Sequence, residues 1–247
     1  NQWIVINYTI VFIFVCSGLS LYYLPLFDFR PYRIGTNIPR GMEIPKDAEQ
    51  PLFETTFIME KGGQRKEFTL NDYPDSTWKF IDSKTVQVKE GYIPPIHDFS
   101  IADRKTGKDL TDSVLRHKGY TFLLIAPYLE RADDSNFGDI DQLYEYAQTY
   151  NIPFYCLTAS TAKAIQRWRD ITGAEYPFCI TDETTLKTIV RSNPGLLLLK
   201  DGTIINKWSH NQLPNGAKLS LPITQSALGK MPQDSVPGKI LEIILWF

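Results

Sequence analysis

The first stretch of the chain is apolar without a period. Residues 3–26 (WIVINYTIVFIFVCSGLSLYYLPL) carry no charge, and the first charged side chain is Asp28. At ~1.5 Å per residue, a helix over that stretch reaches roughly 35 Å, against a hydrocarbon core of ~30 Å. Trp3 near one end and Tyr22 and Tyr23 near the other sit where interfacial aromatics sit. Pro25 then stops a helix. The pattern predicts a membrane-spanning helix over residues 1–27. A cleaved signal peptide would need a basic leader, a shorter apolar core and a small-residue cleavage site, and none is visible. A buried core helix would need a polar face, and only Asn7, Thr9 and Ser17 interrupt the run.

Beyond it the pattern changes character. Residues 28–51 are rich in Pro, Gly and charge, show no period and read as a connector. Within 52–90, Phe53, Thr55, Phe57 and Met59 alternate with Glu54, Thr56, Ile58 and Glu60. The turn Lys61-Gly62-Gly63-Gln64 and a second extended run to Leu70 complete a hairpin signal. Residues 77–88 add a third extended segment. From residue 91 to 213 the elements alternate. A short hairpin turns at Lys105-Thr106-Gly107-Lys108, and YTFLLIA (120–126) reads as a strand buried on both faces. A helix with Ile140, Leu143, Tyr144 and Ala147 on one stripe follows, with Asp134, Ser135 or Asn136 as its cap. Next come a strand at 153–158 and a helix at 160–172 with Ile165 and Trp168 inward, closed by Gly173. A short extended segment at 176–181, a helix at 183–191 and a hairpin turning at Asp201-Gly202 end the series. The predicted architecture is α/β, a mixed sheet with helices on both faces. Residues 214–239 read as a linker. Residues 240–247 (ILEIILWF) read as the start of a second membrane helix, or else as a docked amphipathic tail. The chain opens on Asn1 and stops inside an apolar run, so both ends read as cut from a longer protein.

Charge narrows the function classes. With 26 basic and 28 acidic residues among 247, the net charge is −2. Neither sign dominates, which argues against a nucleic-acid partner. Cys16, Cys156 and Cys179 are too few and too scattered for a disulfide framework, and no Cys-x-x-Cys occurs. His97, His117 and His210 lie far apart with no Cys or second His at ligand spacing, so no metal and no cofactor is expected.

Four segments together resemble a thioredoxin-like domain of the membrane-tethered TlpA and redoxin type. They are Pro95-x-x-Asp98-Phe99-x-Ile101 with Gly107, the strand 120–126, Tyr176-Pro177-Phe178-Cys179-Ile180-Thr181-Asp182, and Asn193-Pro194-Gly195-LLLLKDG-Thr203. The resemblance covers about residues 93–212 and implies a thioredoxin-like fold with a cis peptide bond before Pro194. The spanning segment followed by Asp28-Phe29-Arg30-Pro31-Tyr32 resembles DoxX-like membrane proteins of Bacteroidetes. That likeness implies an inner-membrane protein with its domain in the periplasm. Arg30, Arg33 and Arg40 would point to the cytoplasmic side, but the positive-inside rule is weak ahead of so long a domain.

One departure from the family decides the chemistry. Its Cys-x-x-Cys belongs between the first central strand and the first helix, and residues 127–136 (PYLERADDSN) contain no cysteine. Thiol–disulfide exchange needs a thiolate, usually one stabilised at a helix N-terminus. Glu130, Arg131, Asp133 and Asp134 stand there instead, as an acid–base or cation site or as a solvated loop beside a helix N-terminus. Cys156 and Cys179 are the remaining thiols outside the first helix and read as small buried hydrophobes. His97 beside Asp98 is set aside as a proton-transfer pair, since neighbours on a strand face opposite ways, and His210 reads as a surface or loop residue. The resemblance implies that the groove at Asn193, Pro194 and Gly195 binds extended polypeptide through backbone hydrogen bonds, which needs no cysteine. The expected function is a membrane-anchored, redox-inactive docking module for a protein or peptide, attached through residues 1–27 and within reach of a membrane redox complex. The alternative is a thiol-disulfide or quinone-linked oxidoreductase using Cys179 or Cys156.

Overall fold

The computed structural model describes residues 2–22, 24–25 and 28–232. It divides into two units, Asn1–Gly41 with Ile96–Phe247, and Met42–Pro95.

In the first unit, residues Gln2–Tyr22 form a helix, α1, whose apolar side chains are exposed. Among the described residues, however, no helix is long and apolar enough to cross a membrane. This overturns the spanning helix expected over 1–27. Helix α1 ends at Tyr22, five residues short of the segment expected from the sequence. Asn7 and Thr9 also interrupt that stretch, each turning back onto the carbonyl four residues earlier, of Trp3 and Val5. The second apolar segment expected at 240–247 lies outside the described residues. A short helix, α2, follows at Ile38–Met42.

The second unit is an antiparallel sheet of three strands, β1 (Leu52–Lys61), β2 (Gln64–Thr69) and β3 (Lys79–Lys89), in the order β2-β1-β3. The turn between β1 and β2 holds Gly62 and Gly63 at positive φ, as a tight two-residue hairpin requires. Phe57 pairs with Phe68 across the hairpin and meets Tyr73 edge-to-face at 5.3 Å, while Phe68 meets Trp78 at 5.0 Å. These aromatic contacts are what a three-stranded sheet has to hold it together.

The remaining elements build the main sheet. They are β4 (Ala102–Asp103), α3 (Thr111–Leu115), β5 (Tyr120–Ile125), α4 (Phe137–Thr149), β6 (Phe154–Thr158), α5 (Ala162–Thr172), β7 (Phe178–Ile180), α6 (Glu183–Ile189), β8 (Gly195–Lys200) and β9 (Thr203–Ser209). The strand order is β4-β7-β6-β5-β8-β9. Strands β5, β6 and β7 run parallel, joined by helical crossovers, while β8 returns antiparallel to β5 and β9 antiparallel to β8. Together with the cis bond between Asn193 and Pro194 just before β8, this is a thioredoxin-like fold.

Alternation along the strands sorts the core into two layers. Phe122, Leu124, Cys156, Leu196 and Leu198 face α4 and α5, where Ile140, Leu143, Ile165 and Trp168 meet them. Trp168 Nε1 donates to the Tyr176 hydroxyl at 2.9 Å in this layer. No α-helix follows β9 among the described residues. Its place is taken by Leu213 and the described part of the stretch read from sequence as a linker, from which Ile223 and Leu228 join Leu213 in the same cluster. The hydroxyls of Tyr146 and Tyr120 hold it there by donating to the carbonyls of Leu221 and Gly229.

The opposite layer contains Leu123, Ile125, Leu157, Cys179 and Leu197, all fully buried. The residues expected to form a connector belong to this layer from Asp28 to Gly41, with Tyr32 and Ile38 buried. They run beside β9, where Gly35 N–H donates to Ile204 O and Ile204 N–H to Thr36 O. Their anchor is Lys207, whose buried Nζ donates to Asp28 Oδ2 at 2.8 Å, Tyr32 O at 3.0 Å and Ile189 O at 2.5 Å. Burial pushes the Lys207 amine down from its usual range, and Asp28 pulls it back. Burial alone would raise the Asp28 carboxyl, but hydrogen bonds from Arg30 and Lys207 outweigh it and hold the group at about 2. Gly202 turns the β8–β9 hairpin at positive φ, and a Cβ there would lie 2.5 Å from Leu115 O. Only glycine fits that turn.

Candidate functional site

The carboxyl ends of parallel strands are where open α/β sheets place their sites. Here the loop leaving β5, residues 126–136, crosses that end and is tied down on three sides. Toward the β6–α5 loop, Leu129 N–H donates to the buried Ser160 hydroxyl at 2.9 Å, and Ser160 donates onward to Glu130 Oε2 at 2.7 Å. Toward α6, the Tyr128 hydroxyl donates to Glu183 Oε1. Lys187 Nζ donates to both, at 2.8 Å to Tyr128 and 2.5 Å to Glu183. The Lys187 amine and the Arg131 guanidinium both lie over the Tyr128 ring, 4.7 and 5.3 Å from its centroid. Hydrogen bonds from Lys187 first, then Tyr128, lower the Glu183 carboxyl, and Glu183 in turn raises Lys187.

The third side is the cis-proline loop. Asn193 Nδ2 donates to Tyr128 O at 2.8 Å, and Asp133 N–H donates to Asn193 O at 2.9 Å. Pro194 and Gly195 are buried and Asn193 is half-buried. Gly195 is required because a Cβ would lie 2.7 Å from Val190 Cγ1. Asn193 Oδ1 is buried with no donor among the described residues. Orphaned acceptors of this kind are uncommon in folded interiors.

Of the four residues read from sequence in this loop, the structure gives each a different setting. Glu130 is held by Ser160, Arg131 stacks on Tyr128, and Asp133 meets His210, with Nε2 to Oδ2 at 3.4 Å. Side-chain and backbone hydrogen bonds from Ser135, helped by His210, keep the Asp133 carboxyl below its ordinary range. Asp134 is exposed, and its carbonyl accepts from Phe137 N–H. Asn136 is the residue preceding α4, but its side chain does not cap the helix. It donates to His210 O at 2.8 Å instead.

Both non-helical thiols lie away from this loop. Cys156 pairs with Phe178, and Leu157 pairs with Cys179, so the two sulfurs face opposite sides of the sheet. Both are free and buried. Burial pushes the Cys156 thiol far above its usual range. Burial, and then the Asp103 charge, push Cys179 up to about 11. Among the described residues no group of His, Cys, Asp and Glu is arranged to hold a metal ion.

Sequence reasoning missed Ser192 and His210. Ser192 Oγ lies 2.9 Å from His210 Nδ1 and accepts from His210 N–H at 2.9 Å, while donating to Pro194 O at 2.5 Å. The hairpin held part of the signal: its register, shifted by one residue between Leu198 and Leu199, sets Ser209 opposite Gly195 and so brings residue 210 level with the cis-proline loop. Ser192, His210 and Asp133 have the residue types of a nucleophile triad but not its geometry. The one hydroxyl proton is committed to Pro194 O, which leaves the oxygen unactivated. His97 corrects the sequence reading in the other direction. Residues 97–98 are outside any strand, and His97 Nε2 meets Asp98 Oδ2 at 3.2 Å with both side chains exposed. An exposed pair of this kind contributes little.

Comparison with known proteins adds a family match and several structural likenesses. Residues 53–90, the three-stranded sheet, match a domain of unknown function, DUF8463. No curated protein matches the chain. Among solved structures, a thioredoxin-like protein from Aeropyrum pernix is similar at 12% identity and a TM-score of 0.38, over 61% of this chain and 89% of that one. Peroxidoxin BcpB from Mycobacterium tuberculosis is similar at 14% identity and 0.36, over 47% and 83%. The thioredoxin domain of a thiol-disulfide oxidoreductase from Bacteroides vulgatus is similar at 11% and 0.34, over 44% and 81%. At such scores these likenesses have no bearing on activity, and the fold rests on the strand order and the cis-proline described above.

Proposed function

We propose that this chain is a redox-inactive thioredoxin-like domain that docks an extended polypeptide at the loop formed by Asn193, Pro194 and Gly195. The observation that carries the reading is the pairing of a cysteine-free β5–α4 loop with a buried, donor-less acceptor beside the cis-proline. Thiol exchange needs an accessible thiolate. Cys156 and Cys179 are buried and held protonated, which weighs against the oxidoreductase reading. Asn193 Oδ1, by contrast, is an acceptor waiting for a donor, and a peptide backbone N–H is the donor an extended partner brings.

The test is site-specific photocrosslinking in the native host. A photoreactive residue replaces exposed Arg191, next to the loop, and in a control it replaces exposed Lys163 at the start of α5. The reading expects a discrete adduct from position 191 alone, lost when Asn193→Ala is added. Equal adducts from both positions, or none from position 191, would sink it.

A further inference from the structure

We propose that Asn215 is a self-modification site. It converts to aspartate and isoaspartate, and the conversion loosens the segment that stands in the place of a helix after β9.

Asn215-Gly216 is the one Asn-Gly pair in the sequence. The side-chain amide carbon of an asparagine lies within reach of the next backbone nitrogen, and a following glycine, with no Cβ, leaves that approach open. Both residues are exposed here. Gly216 sits at φ +50, and a Cβ added there would meet no atom within 4 Å, so the turn has free space around it. Among the described residues no backbone carbonyl holds the Gly216 N–H. The nucleophile is therefore uncommitted.

The reaction needs only hydroxide and water. Hydroxide removes the Gly216 amide proton, and the nitrogen attacks Asn215 Cγ. A new N–Cγ bond forms as the Cγ–Nδ2 bond breaks. Nδ2 takes a proton from water and leaves as ammonia, which closes a succinimide ring. Water then opens the ring in one of two ways. Breaking the new N–Cγ bond gives aspartate on the original backbone. Breaking the bond from that nitrogen to the former backbone carbonyl carbon gives isoaspartate, whose main chain runs through Cγ and is one carbon longer. The net change is one ammonia lost and one water gained, with nothing oxidised or reduced.

The position gives the change a consequence. Asn215 Nδ2 donates to Asp139 Oδ1 at 3.2 Å, in the first turn of α4. Either product loses that donor and carries a new carboxylate, which only accepts and repels Asp139. Asn215 also lies between Leu213 and Leu219, both of which pack on the core cluster. The extra carbon of isoaspartate lengthens the path between these two anchors and displaces the carbonyl that holds Lys218 N–H. Residues 213–229 contain no α-helix and depend on a few such anchors. They open locally while the sheet stays folded.

The full chain is incubated in mildly alkaline buffer, and peptide mapping follows position 215 beside Asn206 and Asn211. Position 215 should convert, with the aspartate and isoaspartate peptides eluting apart, while Asn206 and Asn211 persist. Hydrogen-exchange mass spectrometry then compares fresh and converted protein. Exchange across 213–229 should quicken about fivefold on conversion. Residues 120–126, inside the sheet, serve as the control and should not change. Asn215→Gln keeps an amide but must close a larger, slower-forming ring, so it should hold both its mass and its exchange. Asn215→Asp should exchange fast without incubation. An Asn215 that stays intact in the folded protein while the denatured chain converts, or unchanged exchange across 213–229 after conversion, overturns the proposal. So does equal loosening of incubated Asn215→Gln.

Discussion

Cys156 and Cys179 occupy neighbouring parallel strands one step out of register, and their sulfurs point to opposite faces of the sheet. A disulfide needs Cβ atoms that approach to about 4 Å and face each other. Mild oxidation of the folded protein should therefore form no bond between them, read by intact mass spectrometry as no loss of two hydrogens within the chain. An internal disulfide formed without denaturation would contradict the register.

Asp28 provides a pH-dependent anchor for the segment before α2. Its carboxyl is held at about 2, below its ordinary value of 3.8. The folded value is the depressed one, so the stabilisation is complete above about pH 4 and disappears as the pH falls through about 2. Asp28→Asn should cost about 2 kcal/mol at neutral pH. The difference in urea midpoint between wild type and variant should shrink toward pH 2. A gap that is constant with pH would show that Asp28 acts by shape and not by charge.

Tyr176→Phe removes the acceptor of Trp168 Nε1–H inside the α4–α5 layer. The indole would be left buried and unpaired, at a cost of about 1–3 kcal/mol. Thermal unfolding would measure this, and an unchanged midpoint would mean that the indole finds another partner.

Asp182 caps α6 by accepting from Thr185 N–H at 2.9 Å. Asp182→Ala should destabilise the fold by about 1 kcal/mol. The loss should appear first as faster amide exchange in α6, next to the Glu183–Lys187 pair. Unaltered exchange there would remove the cap from the account.

The legible parts of this fold were those written in local pattern. The run 120–126, the Asp201-Gly202 hairpin and the Gly173 helix stop each follow from a few adjacent residues, and the structure has them all. The parts that were not legible depend on residues far apart in sequence. Asp28 and Lys207 meet across most of the chain, so the segment carrying Asp28 looked like a bare connector. Residues 213–229 have no helical or strand period because they pack as short 3-10 turns, with Leu213, Ile223 and Leu228 as isolated anchors. The spanning helix was read from a run of apolar residues, its length and its flanking aromatics, and among the described residues no helix is long and apolar enough to cross a membrane. At the candidate site the loop residues and the cis-proline were visible in sequence. His210 was not, because a lone histidine carries no signal until the hairpin register is laid out.

The most direct measurement is a thiol titration of the whole protein, native and then denatured, followed in time near neutral pH. The account predicts that Cys16, which is exposed, reacts in the native state, while Cys156 and Cys179 react only after denaturation. Rapid native reaction of Cys156 or Cys179, shown by peptide mapping of the modified site, would contradict the redox-inactive reading and return thiol chemistry to first place.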